Sequence, residues 1–136
     1  MAQTLDDFVA DFALFDDWEG RFAYLIDLGK ALPDLDDSYK TDEFLVRGCT
    51  SKVWLVADRE GDKLIFKADS DAFIVKGLIA LLLAAYSGKT AQEILATDIE
   101  AAFTEMGLET HLSPNRRNGF FAMVKKMRDY AQSLAA

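Results

Sequence analysis

The sequence contains very little of the residue types that many common protein chemistries require. Its 136 residues include one cysteine, Cys49, one histidine, His111, and two prolines. A single cysteine excludes a disulfide within the chain, and one cysteine with one histidine falls short of the several ligands that zinc or an iron–sulfur cluster needs. A thioredoxin-like reductase is excluded as well, because it needs a second, resolving cysteine.

Long apolar segments are also missing. The longest apolar run extends from Gly77 to Tyr86, which suits a buried helix but is too short to span a bilayer. The first residues, MAQTLDDFVADF, lack the positive start and the apolar stretch of a signal peptide. With one thiol and no disulfide, the sequence therefore predicts a cytoplasmic protein that does not enter a membrane.

Positive charge is scarce in the first third of the chain. The formal net charge is −8, and residues 1–43 carry twelve acidic residues against three basic ones. Such a surface repels phosphate backbones, so nucleic-acid binding is not expected. The acidic third either steers a basic partner or only keeps the surface solvated, and the sequence leaves both interpretations open.

Hydrophobic patterning predicts an α+β fold in a single domain over residues 1–136, with a small three-stranded antiparallel sheet flanked by N- and C-terminal helices. Residues 43–47, 52–58 and 63–68 have strand composition, and residues 59–62 predict a hairpin turn between the last two. Trp54 is expected in the core, and Asp71 and Lys76 at the surface. Helix starts are predicted at Thr4 with Asp7, Asp16 with Glu19, Ser70, Thr90 with Glu93, Asp98, and Ser113 before Pro114.

Cys49 lies between the first two predicted strands, in a setting that favours reactivity. Gly48 permits close approach of another molecule, and Arg47 and Lys52 add positive charge that favours the thiolate. A lone thiolate can exchange sulfur with another protein through a persulfide. Two alternatives remain open: a thiol-dependent enzyme using Cys49 with His111 as base, and an interaction module in which Cys49 is buried and inert.

The segment VRGCTSKVW resembles the motif V-x-G-C-x-S-x-V-W of SufE-like sulfur acceptors. Three further segments are similar in consistent order: YLIDLGKALP at 24–33, GLIALLLAAYSGKTAQEIL at 77–95, and LSPNRRNGFFAMV at 112–124. The resemblance therefore covers nearly the whole chain. It implies a three-stranded antiparallel sheet flanked by helices, in agreement with the patterning.

The resemblance also implies a function. Cys49 matches the persulfide-bearing cysteine of the family, which accepts sulfur from a cysteine desulfurase of the SufS or CsdA type and stimulates it. The sulfur then goes to an iron–sulfur scaffold of the SufBCD type. Pyridoxal phosphate belongs to the desulfurase, so this chain is expected to carry no cofactor or metal and to act as a carrier and activator rather than an enzyme.

Residues around Cys49 are assigned supporting roles. The family keeps its cysteine loop against the protein body at rest, and Gly48, Thr50 and Ser51 are candidates for supporting the loop and letting it move outward. Arg116 and Arg117 open the last predicted helix, where cations oppose the helix dipole. They serve either in docking or loop support, or only as a solvated pair.

Overall fold

The computed structural model describes residues 4–46 and 52–135, which fold into helices packed around a small sheet. The elements in chain order are α1 (Leu5–Ala13), α2 (Trp18–Ala31), two short 3₁₀ turns (Asp37–Tyr39 and Asp42–Phe44), β1 (Val53–Glu60), β2 (Lys63–Ser70), α3 (Phe73–Tyr86), β3 (Lys89–Thr90), α4 (Ala91–Ala96), α5 (Ile99–Glu105), α6 (Leu108–His111) and α7 (Pro114–Ala135).

Three antiparallel strands form the sheet, in the order β1-β2-β3. The β1–β2 hairpin pairs Val53 with Ser70 at one end and Glu60 with Lys63 at the other, around a turn in which Gly61 has a positive φ of 65°. Glycine adopts this conformation without a steric penalty. The predicted α+β class, the three-stranded sheet and the hairpin are confirmed.

The predicted position of one strand was wrong. Residues 43–47 are predicted as a strand, yet Asp42–Phe44 is a 3₁₀ turn and, among the described residues 43–46, only Leu45 forms a β-bridge, to Trp54. Acidic residues are poor strand formers, and the amide of Leu45 is already bonded to the carbonyl of Asp42. The third strand is the short β3, where Thr90 both pairs with Lys63 and caps α4.

Most helix starts are confirmed because they depend on local side-chain bonds to the backbone. Complete capping boxes join Thr4 to Asp7 and Thr90 to Glu93. The hydroxyl of Ser113 accepts from the amide of Arg116 at the start of α7. The remaining predicted cap, Asp98, also lies at the start of its helix.

Two helix starts were misplaced. The N-cap of α2 is Asp17 rather than Asp16, and its carboxylate accepts from the amide of Gly20. Helix α3 begins at Phe73 rather than directly after Ser70, because Ser70 is still part of β2 and pairs with Val53 of β1. The hydroxyl of Ser70 still accepts from the amide of Ala72, so it supports the turn that leads into the helix.

Helix α3 is the centre of the core. Nine of its fourteen residues are buried, and it packs against α1, α2, α7 and β2. Helix α2 approaches it very closely: a Cβ added at Gly77 would overlap the carbonyl oxygen of Leu25, and one at Gly29 would overlap that of Phe73. The apolar run predicted as a core helix is confirmed. Over residues 4–46 and 52–135, the helices are all too short or too polar to cross a membrane.

Candidate functional site

The residues predicted to carry the chemistry, Cys49 with Gly48, Thr50 and Ser51, lie outside the described residues, as does Arg47. Their assigned roles therefore stay predictions. The structure does describe the residues on either side of them, Val46 and Lys52, and the frame to which those two residues are bonded.

Both flanking residues are fixed to the open end of the β1–β2 hairpin. The amide of Val46 donates to the carbonyl of Val53 at 2.8 Å, next to the bridge between Leu45 and Trp54. The carbonyl of Lys52 accepts from the hydroxyl of Ser70 at 2.7 Å. We call Val46, Lys52, Val53 and Ser70 the loop base, because they hold both ends of the segment that contains Cys49.

Asp71 adds a second attachment at Lys52. Its amide donates to the Lys52 carbonyl at 3.3 Å, and its carboxylate accepts from the Lys52 amide at 3.2 Å. Asp71 is exposed, as predicted. Its position is therefore a surface one, but its side chain and backbone both bond to the residue that ends the cysteine segment.

A buried carboxylate, Asp69, lies beside the loop base and was missed by sequence reasoning. Only 1% of Asp69 is exposed. Its oxygens accept from the amides of Ser70 at 2.8 Å and Leu35 at 3.2 Å, and they pair with Lys76 at 3.4 Å and Lys40 at 3.5 Å. The expectation that Lys76 is a surface residue was wrong, because its side chain is 16% exposed and bonded inward to Asp69.

The environment of Asp69 favours its charged form. Burial opposes ionisation, but the backbone N–H groups of Ser70 and Leu35, together with the charge of Lys76, hold the pKa of Asp69 below its ordinary value of 3.8. Asp69 thereby ties the residues after α2 to the end of β2 and to α3. The available sequence signal was weak: Asp69 stands among the polar residues Ser70 and Asp71, and only Lys76 is unusual, as the one charged residue of the apolar helix α3.

The Asp69 arrangement leads to a prediction about stability and pH. We expect Asp69→Asn to lower the free energy of unfolding by about 2–3 kcal/mol at neutral pH, since it leaves two lysines without their buried partner. Because the folded-state pKa is depressed, this contribution is present above the unfolded-state pKa and is lost as pH falls through the folded-state pKa. The difference between wild type and variant, measured by urea unfolding, should be constant from about pH 5 to 8 and shrink below about pH 4.

Asp34→Asn is the matched control for that measurement. Asp34 pairs with the same Lys76 at 3.7 Å, but its side chain is 88% exposed. An exposed pair contributes less than about 1 kcal/mol. Equal losses for Asp34→Asn and Asp69→Asn would contradict the special role of the buried carboxylate.

Two aromatic rings flank Asp69 and its lysines. Lys40 lies over the ring of Trp54, with its Nζ 5.8 Å from the ring centroid, and Lys76 lies over the ring of Phe73 at 5.4 Å. Trp54 is half-buried, so its predicted place in the core is only partly correct. Phe73 is 54% exposed.

The other predicted site residues lie at the end of α6 and the start of α7. Arg116 is exposed, and Arg117 is half-buried and donates to the carbonyl of Glu109 at 3.3 Å, which ties α6 to α7. His111 is exposed at the end of α6, where its ring stacks on Trp18 with centroids 4.7 Å apart. The proposed uses of Arg116 and Arg117 in docking, and of His111 as a base, stay untested because Cys49 is not described.

No group of three or more His, Cys, Asp or Glu side chains is arranged to hold a metal ion within residues 4–46 and 52–135. Several acidic residues of this part of the chain instead cap helices, as Asp17 and Asp98 do, or pair with lysines, as Asp69 does. The arrangement around the loop base is therefore one of ion pairs and backbone bonds.

Comparison with known proteins agrees with the family resemblance found in the sequence. Residues 6–131 match the SufE family, described as an Fe-S metabolism associated domain. An uncharacterised SufE-like protein of Rhizobium etli is 48% identical over 98% of this chain and 93% of its own length, and one of Rhizobium meliloti is 44% identical over 95% of each. This chain belongs to the SufE family, and through it to Fe–S metabolism.

A solved structure supports the fold independently. The solution structure of a hypothetical protein from Thermus thermophilus superposes with a TM-score of 0.77, covering 96% of this chain and 95% of that one. The two sequences are only 20% identical. The likeness therefore concerns the arrangement of helices and strands alone.

Proposed function

We propose that Cys49 accepts sulfur from a cysteine desulfurase as a persulfide and passes it to an iron–sulfur scaffold. The observation that supports this most is the loop base. The segment with the only cysteine of the chain is joined at both ends to one end of a hairpin, in a protein that belongs to the SufE family. In this frame, the residues on either side of the segment are held by hydrogen bonds to the end of a paired hairpin.

The transfer chemistry needs neither a metal nor an oxidant. The Cys49 thiolate attacks the terminal sulfur of a persulfide on the donor, a new S–S bond forms to Cys49, and the donor's S–S bond breaks. The donor cysteine leaves as a thiolate, and Cys49 becomes a persulfide. A thiolate of the next acceptor attacks the terminal sulfur in turn, which returns Cys49 to a thiolate.

The sulfur atom itself originates in free cysteine. Pyridoxal phosphate in the desulfurase supplies the chemistry that removes it, so this chain is proposed to act without a cofactor of its own. By clearing sulfur from the donor, Cys49 also stimulates desulfurase turnover. Either a SufS-type or a CsdA-type desulfurase can serve as donor, a SufBCD-type scaffold is the proposed receiver, and a reducing cytoplasm is the proposed location.

The direct test is mass spectrometry of the intact chain after mixing with a cysteine desulfurase and cysteine. We expect one added sulfur atom on Cys49, removable by a thiol reductant. Prior alkylation of Cys49 is the control and should prevent the addition. An unmodified chain under these conditions, with a desulfurase shown to be active, would contradict the carrier function.

A thiol-dependent enzyme using Cys49 and His111 remains the second candidate, and an interaction module with an inert cysteine the third. The stacking of His111 on Trp18 gives the histidine a structural role. His111→Asn should therefore leave sulfur acceptance unchanged, whereas an enzyme with a His base would lose several orders of magnitude in rate. An inert cysteine would fail to accept sulfur at all.

The resemblance further predicts that Cys49 is sheltered in the free protein. We expect it to react with iodoacetamide more slowly than a cysteine in an unstructured peptide. Ser70→Ala removes the 2.7 Å hydrogen bond to Lys52, so it should weaken the loop base by about 1 kcal/mol and raise the alkylation rate several-fold. The control is Ser87→Ala, which removes a hydroxyl bonded to Phe66 farther along β2. Alkylation of wild type as fast as the peptide would refute the sheltering while leaving the carrier function intact.

A further inference from the structure

Phe73 is an exposed aromatic side chain beside the loop base. It is 54% exposed at the first residue of α3, two positions after Asp71, which bonds to Lys52. Isolated exposed apolar residues are ordinary and need no explanation. Phe73 differs from such residues in two respects. Its ring is covered on one face by Lys76, and the neighbouring segment 34–43 carries an excess of negative charge.

The position of Phe73 is fixed from two sides. Its backbone lies against Gly29 of α2, so closely that no side chain would fit at that glycine. Its ring is covered on one face by Lys76, which is itself held by Asp69 at 3.4 Å and Asp34 at 3.7 Å. An aromatic group that is already ordered loses little conformational freedom when a partner covers it, which is typical of residues that dominate binding.

The segment that contacts Lys76 carries a net negative charge. Residues 34–43 contain five acidic residues and a single base, Lys40. Of these acids, Asp34 and Asp37 are 88% and 96% exposed, and they contact Lys76 and Lys40, the lysines that hold Asp69. We call Asp34, Asp36 and Asp37 the acidic rim. Such a rim repels nucleic acids and anionic lipid surfaces and attracts a basic protein surface.

We propose that Phe73 and the acidic rim form a docking surface for a protein that offers an apolar pocket bordered by Lys or Arg. The surface adjoins the loop base, so a partner seated on it also lies beside Lys52, the residue that follows the segment containing Cys49. On the proposed function, this partner is the cysteine desulfurase that donates sulfur. Burial of Phe73 in the partner's pocket lowers the Kd, and the acidic rim raises the association rate constant.

The first experiment measures the affinity of the full chain for a desulfurase that loads wild-type Cys49. Phe73→Ser should raise the Kd about thirty-fold, as for a central aromatic anchor. The chain should still fold, since the side chain is more than half exposed, and at saturating desulfurase it should still acquire one sulfur. Leu14→Ser is the matched control: Leu14 is 78% exposed after α1, and its loss should leave the Kd within about two-fold.

The second experiment tests the acidic rim through association kinetics. Asp34→Asn with Asp37→Asn should lower the on-rate several-fold and flatten its dependence on salt. Glu60→Gln with Asp62→Asn makes the same change in charge at the Gly61 turn. Eight residues of strand at about 3.3 Å each separate that turn from the loop base, so this control should have little effect.

The outcomes separate the docking surface from the sulfur-transfer function. If Phe73→Ser binds the desulfurase as tightly as wild type does, the docking surface is refuted. If the wild-type chain still acquires sulfur in that case, the sulfur-transfer function stands. A wild-type chain that accepts no sulfur overturns both. Sedimentation of the chain alone must show a monomer, because a dimer lost in Phe73→Ser would assign the surface to a second copy and overturn the proposal.

Discussion

Cys49→Ser should abolish sulfur acceptance completely. A hydroxyl cannot carry a persulfide, and no second thiol exists in the chain to replace it. In an assay with a cysteine desulfurase, cysteine and limiting reductant, the variant should neither gain mass nor accelerate cysteine turnover. Folding should survive, because the change replaces one small side chain by another of similar size.

A relocated thiol is the sharpest control for that result. The double change Cys49→Ser with Ser51→Cys keeps one thiol in the segment between Val46 and Lys52, two residues away. If the position of the thiol matters, the double variant should not regain sulfur loading, although its thiol can still be alkylated. Acceleration of cysteine turnover by the Cys49→Ser variant itself would refute the carrier mechanism.

Gly77→Ala should cause a large loss of stability. The added methyl group would overlap the Leu25 carbonyl oxygen, which belongs to the backbone of α2 and cannot move without separating the two helices. Overpacking of this kind costs about 3 kcal/mol, only partly offset by about 1 kcal/mol of better helix propensity. We expect a thermal midpoint lower by about 10 °C, measured by circular dichroism.

Gly20→Ala is the matched control in α2. A Cβ there would meet the Phe15 ring at 2.9 Å, and a side chain can turn away where a backbone carbonyl cannot. The bond from the residue-20 amide to Asp17 is retained. Equal midpoints for the two variants would show that the α2–α3 approach is not the tight contact that the structure describes.

Elements specified by neighbouring residues were predictable from the sequence. The capping boxes at Thr4 and Thr90 and the Ser113-Pro114 start depend on side chains within three residues of the backbone they bond. The hairpin turn at Gly61 is local for the same reason. The identity of the third strand was not predictable in this way, because β3 exists only through its pairing with Lys63 and Leu64.

Prediction at the site failed where partners are distant in sequence. Asp69 is held by Leu35, Lys40 and Lys76, of which the first two come from the other side of the cysteine segment. Nothing in the local pattern of β2 distinguishes a paired buried acid from a solvated one. The motif around Cys49 was informative for the opposite reason: its residues are contiguous, and together with three further segments in consistent order they indicated the SufE family from sequence alone.

The ring of Trp54, placed under Lys40 at the loop base, gives the protein a built-in optical probe. The chain has two tryptophans, and Trp18 stacks on His111 in the helical part. Replacing Trp18 by phenylalanine keeps an aromatic stack and leaves one indole, next to the residues that hold the cysteine segment. Fluorescence of that single indole would then follow partner arrival and sulfur loading in real time, without any attached dye.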